Sequence, residues 1–431
     1  MGTIAPAFRT QPSASMTAPD PAALDPAFLG ERADLMIRTL ASISAEPNRL
    51  VRGFLTPEHR AAADLVCKWM REAGLDVSED ALGTVRGHWA GEGKKRLLIG
   101  SHIDTVIEAG MFDGPLGVIV GILAAGHFAR AGRKLPFGLD VLAFGDEEGS
   151  RFPVTLSSSL AVAGHFDTAR LDATDAGGTT FRDAVAQYGK SAADIPAAAY
   201  ARDEAAAYVE VHIEQGPVLE YRGQPLGVVT AIAGQTYVNV EFLGEAGHAG
   251  TVPMLLRRDA LAGAAETVSL AERLARETKG EVVATVGVLR IPNAAGNVIP
   301  GNVALIVDIR SGSDAARHKF VELFKNEVRA LAERRHLGVT MTDTRNVPTT
   351  PCDPALQDGL AKAIKSVGGE PISLVSGAGH DGMAMAKLCP IAMMFVRCRG
   401  GISHNPAEYA SPADMGLAAA ALIKFIETAK F

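Results

Sequence analysis

The chain has 431 residues, of which 47% are hydrophobic and 21% charged, and a formal net charge of -7. That length exceeds one ordinary core and points to two folded units, while the acidic balance and the lack of basic runs exclude a nucleic-acid or anionic-membrane surface. No apolar run nears the roughly 18 residues that span a bilayer, and four cysteines without a CxxC pair fit free thiols in a reducing cytoplasm.

Residues 1–25 are rich in Ala, Pro and Thr. They lack the basic start and apolar block of a secretory signal, so they read as a mobile tail. Helical spacing follows over 26–44 and 57–72, the second helix opening with Thr56 as N-cap and Pro57 in its first turn. Residues 75–89 alternate as strands. Two short apolar runs, Leu97 to Ser101 and Leu139 to Gly145, then flank a helix over 115–131. Such a unit makes its two strands parallel. Ligands of open α/β sheets gather beyond the carboxyl ends of the strands, which is where His102, Asp104, Asp113, Glu147 and Glu148 stand. After a stretch broken by Gly and Pro, with a helix over 180–188, a strand over 208–213 places His212 at the same rim.

The pattern changes near Gly223. A strand over 228–243, a helix over 258–276, strands over 282–290 and 302–310, a helix over 314–335 and a strand over 337–342 form a βαββαβ series, a split βαβ sandwich. The first pattern resumes with a helix over 354–367, strands over 372–375 and 391–396, and a closing helix over 414–430. The fold expected is therefore α/β: a mixed sheet flanked by helices, formed by 26–222 with 343–431, and a ferredoxin-like βαββαβ unit inserted over 223–342.

Taken singly, each rim residue has an ordinary reading, since an Asp before Gly is a turn residue and a lone His is a surface or core group. Together with His404 they share one rim, and imidazole with carboxylate is a donor set that zinc and manganese accept. No HExxH, GxSxG or GxxxxGK[ST] is present, so single-helix zinc protease, serine hydrolase and NTPase chemistry have no support. SGAGHDG at 376–382 contains GxGxxG, yet about fifty residues remain after it, too few for the sheet that a dinucleotide site opens. That loop is expected to hold a carboxylate on its backbone N–H groups instead. In the inserted unit, His248 lies in a Gly-rich loop and Asn297 in a turn, and Arg310 ends a strand. A guanidinium there is either a surface ion pair or the holder of a small anionic substrate.

GSHIDTV, GMFDGPLGV, GDEEGSRF, VEVHIEQGPVLE, GEAGHAGTVPM, NVIPG, DIRSG, SGAGHD and GISHNPAEY follow one another in this chain. The series resembles the M20 metallopeptidase family, and within it the amidase branch of allantoate amidohydrolases, N-carbamoyl-L-amino-acid hydrolases and β-ureidopropionases. The resemblance implies a zinc-exopeptidase-like catalytic domain with two divalent ions per subunit, zinc or manganese, with cobalt and nickel as further options. Asp113 would bridge them, His102 and His212 completing one site and Glu148 and His404 the other. Glu147 would be the general base, and Asp104 would orient His102. Gln215, His248, Asn297, Arg310, Gly379 and His380 would surround the substrate, His248 also facing the oxyanion. A homodimer joined through the inserted domain is implied, with His248 offered to the partner's site. The run from Glu46 to Val77, GHFDTARL and RCRGGISHNPAEY are most similar to allantoate amidohydrolases. The expected reaction is hydrolysis of the carbamoyl C–N bond of a small ureido acid, allantoate first, with N-carbamoyl amino acids as the alternative. From another class, the alternative is a metal-dependent binding protein without turnover. Thr236-Tyr237 stands where relatives often carry Arg after AGQ, which bears on the choice of ureido acid.

Overall fold

The computed structural model describes residues 24–431. The expected tail lies outside them apart from Leu24 and Asp25, and Asp25 caps the first helix by accepting the N–H of Ala27. The chain opens with α1 (Pro26–Ala41) and α2 (Pro57–Glu72), then β1 (Asp76–Glu79), β2 (Val85–Trp89) and β3 (Arg96–His102). Next come α3 (Pro115–Arg130), β4 (Gly138–Phe144), the short helices α4 (Ser157–Val162) and α5 (Phe181–Gln187), β5 (Ala205–Ile213) and α6 (Val218–Arg222). β3, β4 and β5 are parallel neighbours, as the strand, helix, strand unit requires. Their carboxyl ends form one rim.

The run expected as a single strand over 228–243 is two strands in two sheets. β6 (Leu226–Ile232) belongs to the large sheet, and β7 (Gly234–Leu243) opens a second one after the single residue Ala233. The second unit is built from β7, α7 (Ala260–Glu277), β9 (Val282–Arg290), β11 (Asn302–Ser311), α8 (Asp314–Arg334) and β12 (Gly338–Val347), with a separate two-stranded antiparallel pair of β8 (Gly247–His248) and β10 (Val298–Ile299). Its order β12-β7-β11-β9 is antiparallel throughout, the ferredoxin-like arrangement. The boundaries expected at 223 and 342 therefore move to about 233 and 348, because β6 pairs inside the large sheet and β12 runs on to Val347. The chain then returns through β13 (Thr350–Pro351), α9 (Pro354–Ser366), β14 (Ile372–Ser376), α10 (Gly382–Met385), β15 (Ile391–Val396) and α11 (Pro412–Thr428). The large sheet has nine strands in the order β1-β2-β4-β3-β5-β15-β6-β13, with β14 also on β6. Outgoing and returning chains pair on both sides of the crossing, β6 with β13 and β7 with β12. The two sheets are thus joined by one two-stranded ribbon.

Helix α3 decides how close the large sheet's helical layer can come. Fourteen of its 16 residues are buried, so it is apolar all round rather than amphipathic. A β-carbon at Gly117 would stand 2.2 Å from the Val211 carbonyl oxygen, so only glycine lets the helix rest on β5. Across the same layer α1 and α11 cross at Gly30 and Gly416, where a β-carbon on either would meet backbone at 1.9 Å. Each Leu, Ile, Val or Phe buried between these layers contributes roughly 1.5–3 kcal/mol. The second sheet has its own core, in which Val238, Val240, Val307 and Ile309 meet Phe320 and Phe324 of α8. All four cysteines are free thiols. No helix among the described residues is long and apolar enough to cross a membrane.

Candidate metal centre

Strand β3 delivers His102 to the rim, where it is 1% exposed. Its Nδ1 lies 3.1 Å from the Asp104 carbonyl oxygen, which turns Nε2 towards Asp113 Oδ1 at 3.7 Å. β5 delivers His212 beside it. There Nδ1 lies 2.9 Å from the Ile213 carbonyl oxygen, and Nε2 stands 3.0 Å from Asp113 Oδ1. Asp113 arrives on the turn before α3. The next residue, Gly114, has φ +83°, and a β-carbon there would sit 2.5 Å from the His102 ring, so only glycine lets this turn close against the imidazole. His102, Asp113 and His212 offer donor atoms within 4.8 Å of one another.

A second group shares Asp113. Its Oδ2 lies 3.3 Å from His404 Nε2, and the same nitrogen is 3.6 Å from Glu148 Oε2. His404 comes from a loop, at φ +53° and half-exposed. Asp104, expected to orient His102, spends its carboxylate mainly elsewhere. Oδ1 and Oδ2 accept the backbone N–H groups of Glu147 and Glu148, each at 3.1 Å, while Oδ1 is 3.4 Å from His102 Nδ1. Asp104 therefore fixes the turn that carries both acids, and the imidazole takes the Asp104 carbonyl.

Burial pushes the Glu147 carboxyl well above its usual range, against the pull of His102 and with Glu148, Asp381 and Asp104 adding like charge. Burial likewise raises Glu148 to about 7, His102 opposing and Asp113 and Asp104 reinforcing. His212 Nε2 is buried with no aligned hydrogen bond, although Asp113 lies beside it. An imidazole lone pair and three crowded carboxylates are a donor set that fits divalent cations. His102, His212 and Asp113 would hold one, and Asp113, Glu148 and His404 a second.

The remaining expected residues are dispersed. Gln215, at φ +55°, donates its amide N–H to Asp113 Oδ2 at 2.7 Å, so it sits on the centre rather than outside it. Gly379 is exposed, and a β-carbon there would lie 3.7 Å from Glu147 Oε1. The 376–382 loop thus passes over the carboxylate. His380, expected at the substrate, is instead 1% exposed: its Nε2 meets Ser376 Oγ at 2.7 Å and its ring packs edge-on against His212. Burial and the neighbouring His212 depress its pKa well below the ordinary value. The carboxylate at the start of α10 belongs to the protein itself, since the Gly382 N–H donates to Glu210 Oε2 at 3.1 Å. Arg310 clamps Asp308 through Nε and Nη2 and donates from Nη1 to the Gly377 carbonyl at 2.6 Å. It links the second sheet to the loop over Glu147. His248 and Asn297 lie on and beside the exposed β8–β10 pair, where the Ala249 N–H meets the Asn297 carbonyl at 2.9 Å. Neither has a hydrogen bond or ion pair to the metal-site residues among the described residues.

Sequence reasoning missed Glu210, Ser403 and Glu408. Glu210 had a signal, since it shares a strand face with His212 two residues on. The other two had none beyond standing beside His404.

A profile of Peptidase family M20/M25/M40 matches residues 98–428. The chain belongs to this family. It is therefore a hydrolase by descent, and its relatives divide over the substrate. A protein named "Probable allantoate deiminase" from Oryza sativa subsp. japonica is 40% identical, covering 93% of this chain and 88% of its own. An "N-carbamoyl-L-amino acid amidohydrolase" from Geobacillus stearothermophilus is 38% identical over 91% of this chain and 97% of its own. Among solved structures, an amidase of the hydantoinase/carbamoylase family from Burkholderia multivorans superposes with a TM-score of 0.87 at 33% identity, covering 92% of this chain and 97% of that one.

Proposed function

We propose that this family member is a metal-dependent amidohydrolase that cleaves the carbamoyl C–N bond of a small ureido acid, allantoate in first place. The observation that carries the reading is Asp113 standing between two donor groups with Glu147 beside them. Divalent cations held there, manganese or zinc, would polarise the ureido carbonyl and acidify the attacking water. Glu147 takes the proton from that water and returns it to the departing nitrogen, a role suited to a carboxyl whose pKa burial has raised. Asp104 holds the base in place through two backbone N–H groups. Arg310 holds the substrate carboxylate on the two N–H groups that Asp308 and the Gly377 carbonyl leave free of its five. From the inserted domain, when it closes, Asn297 reaches the substrate and His248 the oxyanion, His248 in its own subunit or, in a homodimer joined through that domain, in the partner's. One water is consumed for each ureido group, which leaves as ammonia and carbon dioxide while the amine stays on the product. Free, largely buried thiols suit a cytoplasmic enzyme.

The test is ammonia release from allantoate and from N-carbamoyl amino acids after reconstitution with manganese. Turnover of allantoate at the higher kcat/KM supports the reading. Faster turnover of a carbamoyl amino acid moves the substrate to that alternative, as the Geobacillus relative's name would suggest. Metal binding with no turnover of either points to a binding protein.

A further inference from the structure

The two halves of the centre are built differently. His102 and His212 end strands, are 1% exposed, and have their rings set by carbonyl oxygens of their own segments. His404 rides on a loop and is half-exposed, so something else must fix its position against Asp113. Glu408, four residues on, is 3% exposed. Its Oε1 accepts the N–H of Phe112 at 2.8 Å and of Asp113 at 3.1 Å, across 295 positions of sequence in the latter case. Its Oε2 lies 3.0 Å from Ser403 Oγ, which is itself 2.8 Å from Asp113 Oδ2. The fit is tight. A β-carbon at Gly110 would stand 2.2 Å from the Glu408 carboxyl, and the Tyr409 ring meets Phe112 edge-on at 5.9 Å. With both oxygens taken by donors from these two loops, Glu408 belongs to none of the candidate ligand groups.

We propose that Glu408, acting with Ser403, is a positioning residue that fixes the Asp113 loop against the His404 loop and so sets the affinity of the Asp113–Glu148–His404 half more than that of the half with which it shares Asp113. The inference rests on the two-cation reading of the centre. Loss of a carboxylate that orients a ligand typically weakens metal binding by about 10- to 100-fold. That loss should fall mainly on the loop-built half, because the strand-built half shares Asp113 but keeps both of its imidazoles on carbonyl oxygens of their own segments.

The experiment is calorimetric titration of Mn²⁺ into metal-free wild type, E408A, E408Q, S403A and H404A, with circular dichroism to establish that each is folded. Wild type should take two equivalents and H404A one at high affinity. E408A should keep the first equivalent within about 3-fold and lose about 10- to 100-fold on the second. E408Q should recover most of that loss, since its amide oxygen still accepts both N–H groups. S403A, which leaves the backbone bonds intact, should weaken the second equivalent to a smaller degree, and it carries the test if E408A does not fold. Two equivalents of wild-type affinity in E408A and S403A would overturn the inference and leave the two-cation reading standing, as would equal weakening of both equivalents. A single equivalent in wild type would sink that reading and the inference with it.

Discussion

Along the rim of the nine-stranded sheet, Asp104, Asp113, Glu210 and Asp381 are all buried, and among the described residues no lysine or arginine forms a salt bridge with any of them. On the four-stranded sheet the charges are paired: Arg310 with Asp308, the buried Arg317 with Asp314, and Arg335 with Glu266. Burying a carboxylate without a partner is costly, and burying it with one much less so. The rim of the first sheet thus rests its carboxylates on imidazoles and backbone N–H groups rather than on a fixed cation, so a divalent ion bound there would relieve their mutual repulsion, whereas the acids of the second sheet already have arginines. In the proposed function chemistry and recognition would divide along the same line, with the base and the metal donors at the rim of one sheet, and Arg310 on the other with His248 and Asn297 at the two-stranded sheet beside it.

The division can be broken most directly at Glu147. E147Q should lower turnover by about 10³-fold or more while two equivalents of metal remain bound, read as steady-state ammonia release beside metal content. Activity near wild type would remove the base from the rim. Metal withdrawal is the next largest effect. Saturating the stripped protein to about 100 times Kd should stabilise it by about 2.7 kcal/mol, and hydrogen exchange should place the new protection in β3, β5 and the loops of Asp113 and His404 while β7 and β11 stay unchanged. Equal protection of both sheets would deny that only one depends on the cation. R310M should raise KM for the ureido acid by about 10- to 100-fold, the worth of a lost charged hydrogen bond, with kcat within about 3-fold. A fall in kcat with KM unchanged would put Arg310 in the chemistry rather than in recognition.

A further effect is in pH. His59 packs behind the rim with its Nε2 buried and unpartnered, and burial lowers its pKa to about 3. Below the ordinary value of 6.5 the unfolded chain binds a proton that the folded chain refuses, so stability falls as pH drops from 6.5 towards 3. The slope is about 1.4 kcal/mol per pH unit. H59N keeps an acceptor for the Leu55 N–H and should show a shallower slope in denaturant midpoints between pH 6 and 4. An unchanged slope would assign the acid sensitivity to other groups.

Much of this site was legible because parallel strands obey a rule: His102 and the Glu147-Glu148 pair follow apolar runs, and a parallel sheet must bring such ends to one rim. The division at Ala233 was not legible. Residues 226–243 contain no proline and no charge before Glu241 to mark a break, and only burial on both faces in β6 against alternation in β7 separates the two strands. His380 looked like a loop residue aimed at substrate, yet the loop turns its ring under, against His212. Asp104 was placed correctly and given the lesser of its contacts, since backbone donors in a turn leave no mark on residue type. Glu408 sits in a polar NPAEY segment with no periodic signal, and what it does depends on a loop 295 positions away.

The ribbon that joins the two sheets sets what their relative motion can do. At the crossing Gly234 donates its N–H to Thr349 Oγ1 at 3.2 Å, which ties the strands together where they leave the large sheet. Arg310 pairs with Gln235, next to this point, whereas the strand pair that carries His248 lies beyond the opposite end of β7, roughly 25 Å along the strand. A swing pivoting on the ribbon would leave the guanidinium nearly stationary and carry the imidazole through a wide arc. The anchor for a substrate's acid group would then be ready before closure, and only the distant finger would need to travel.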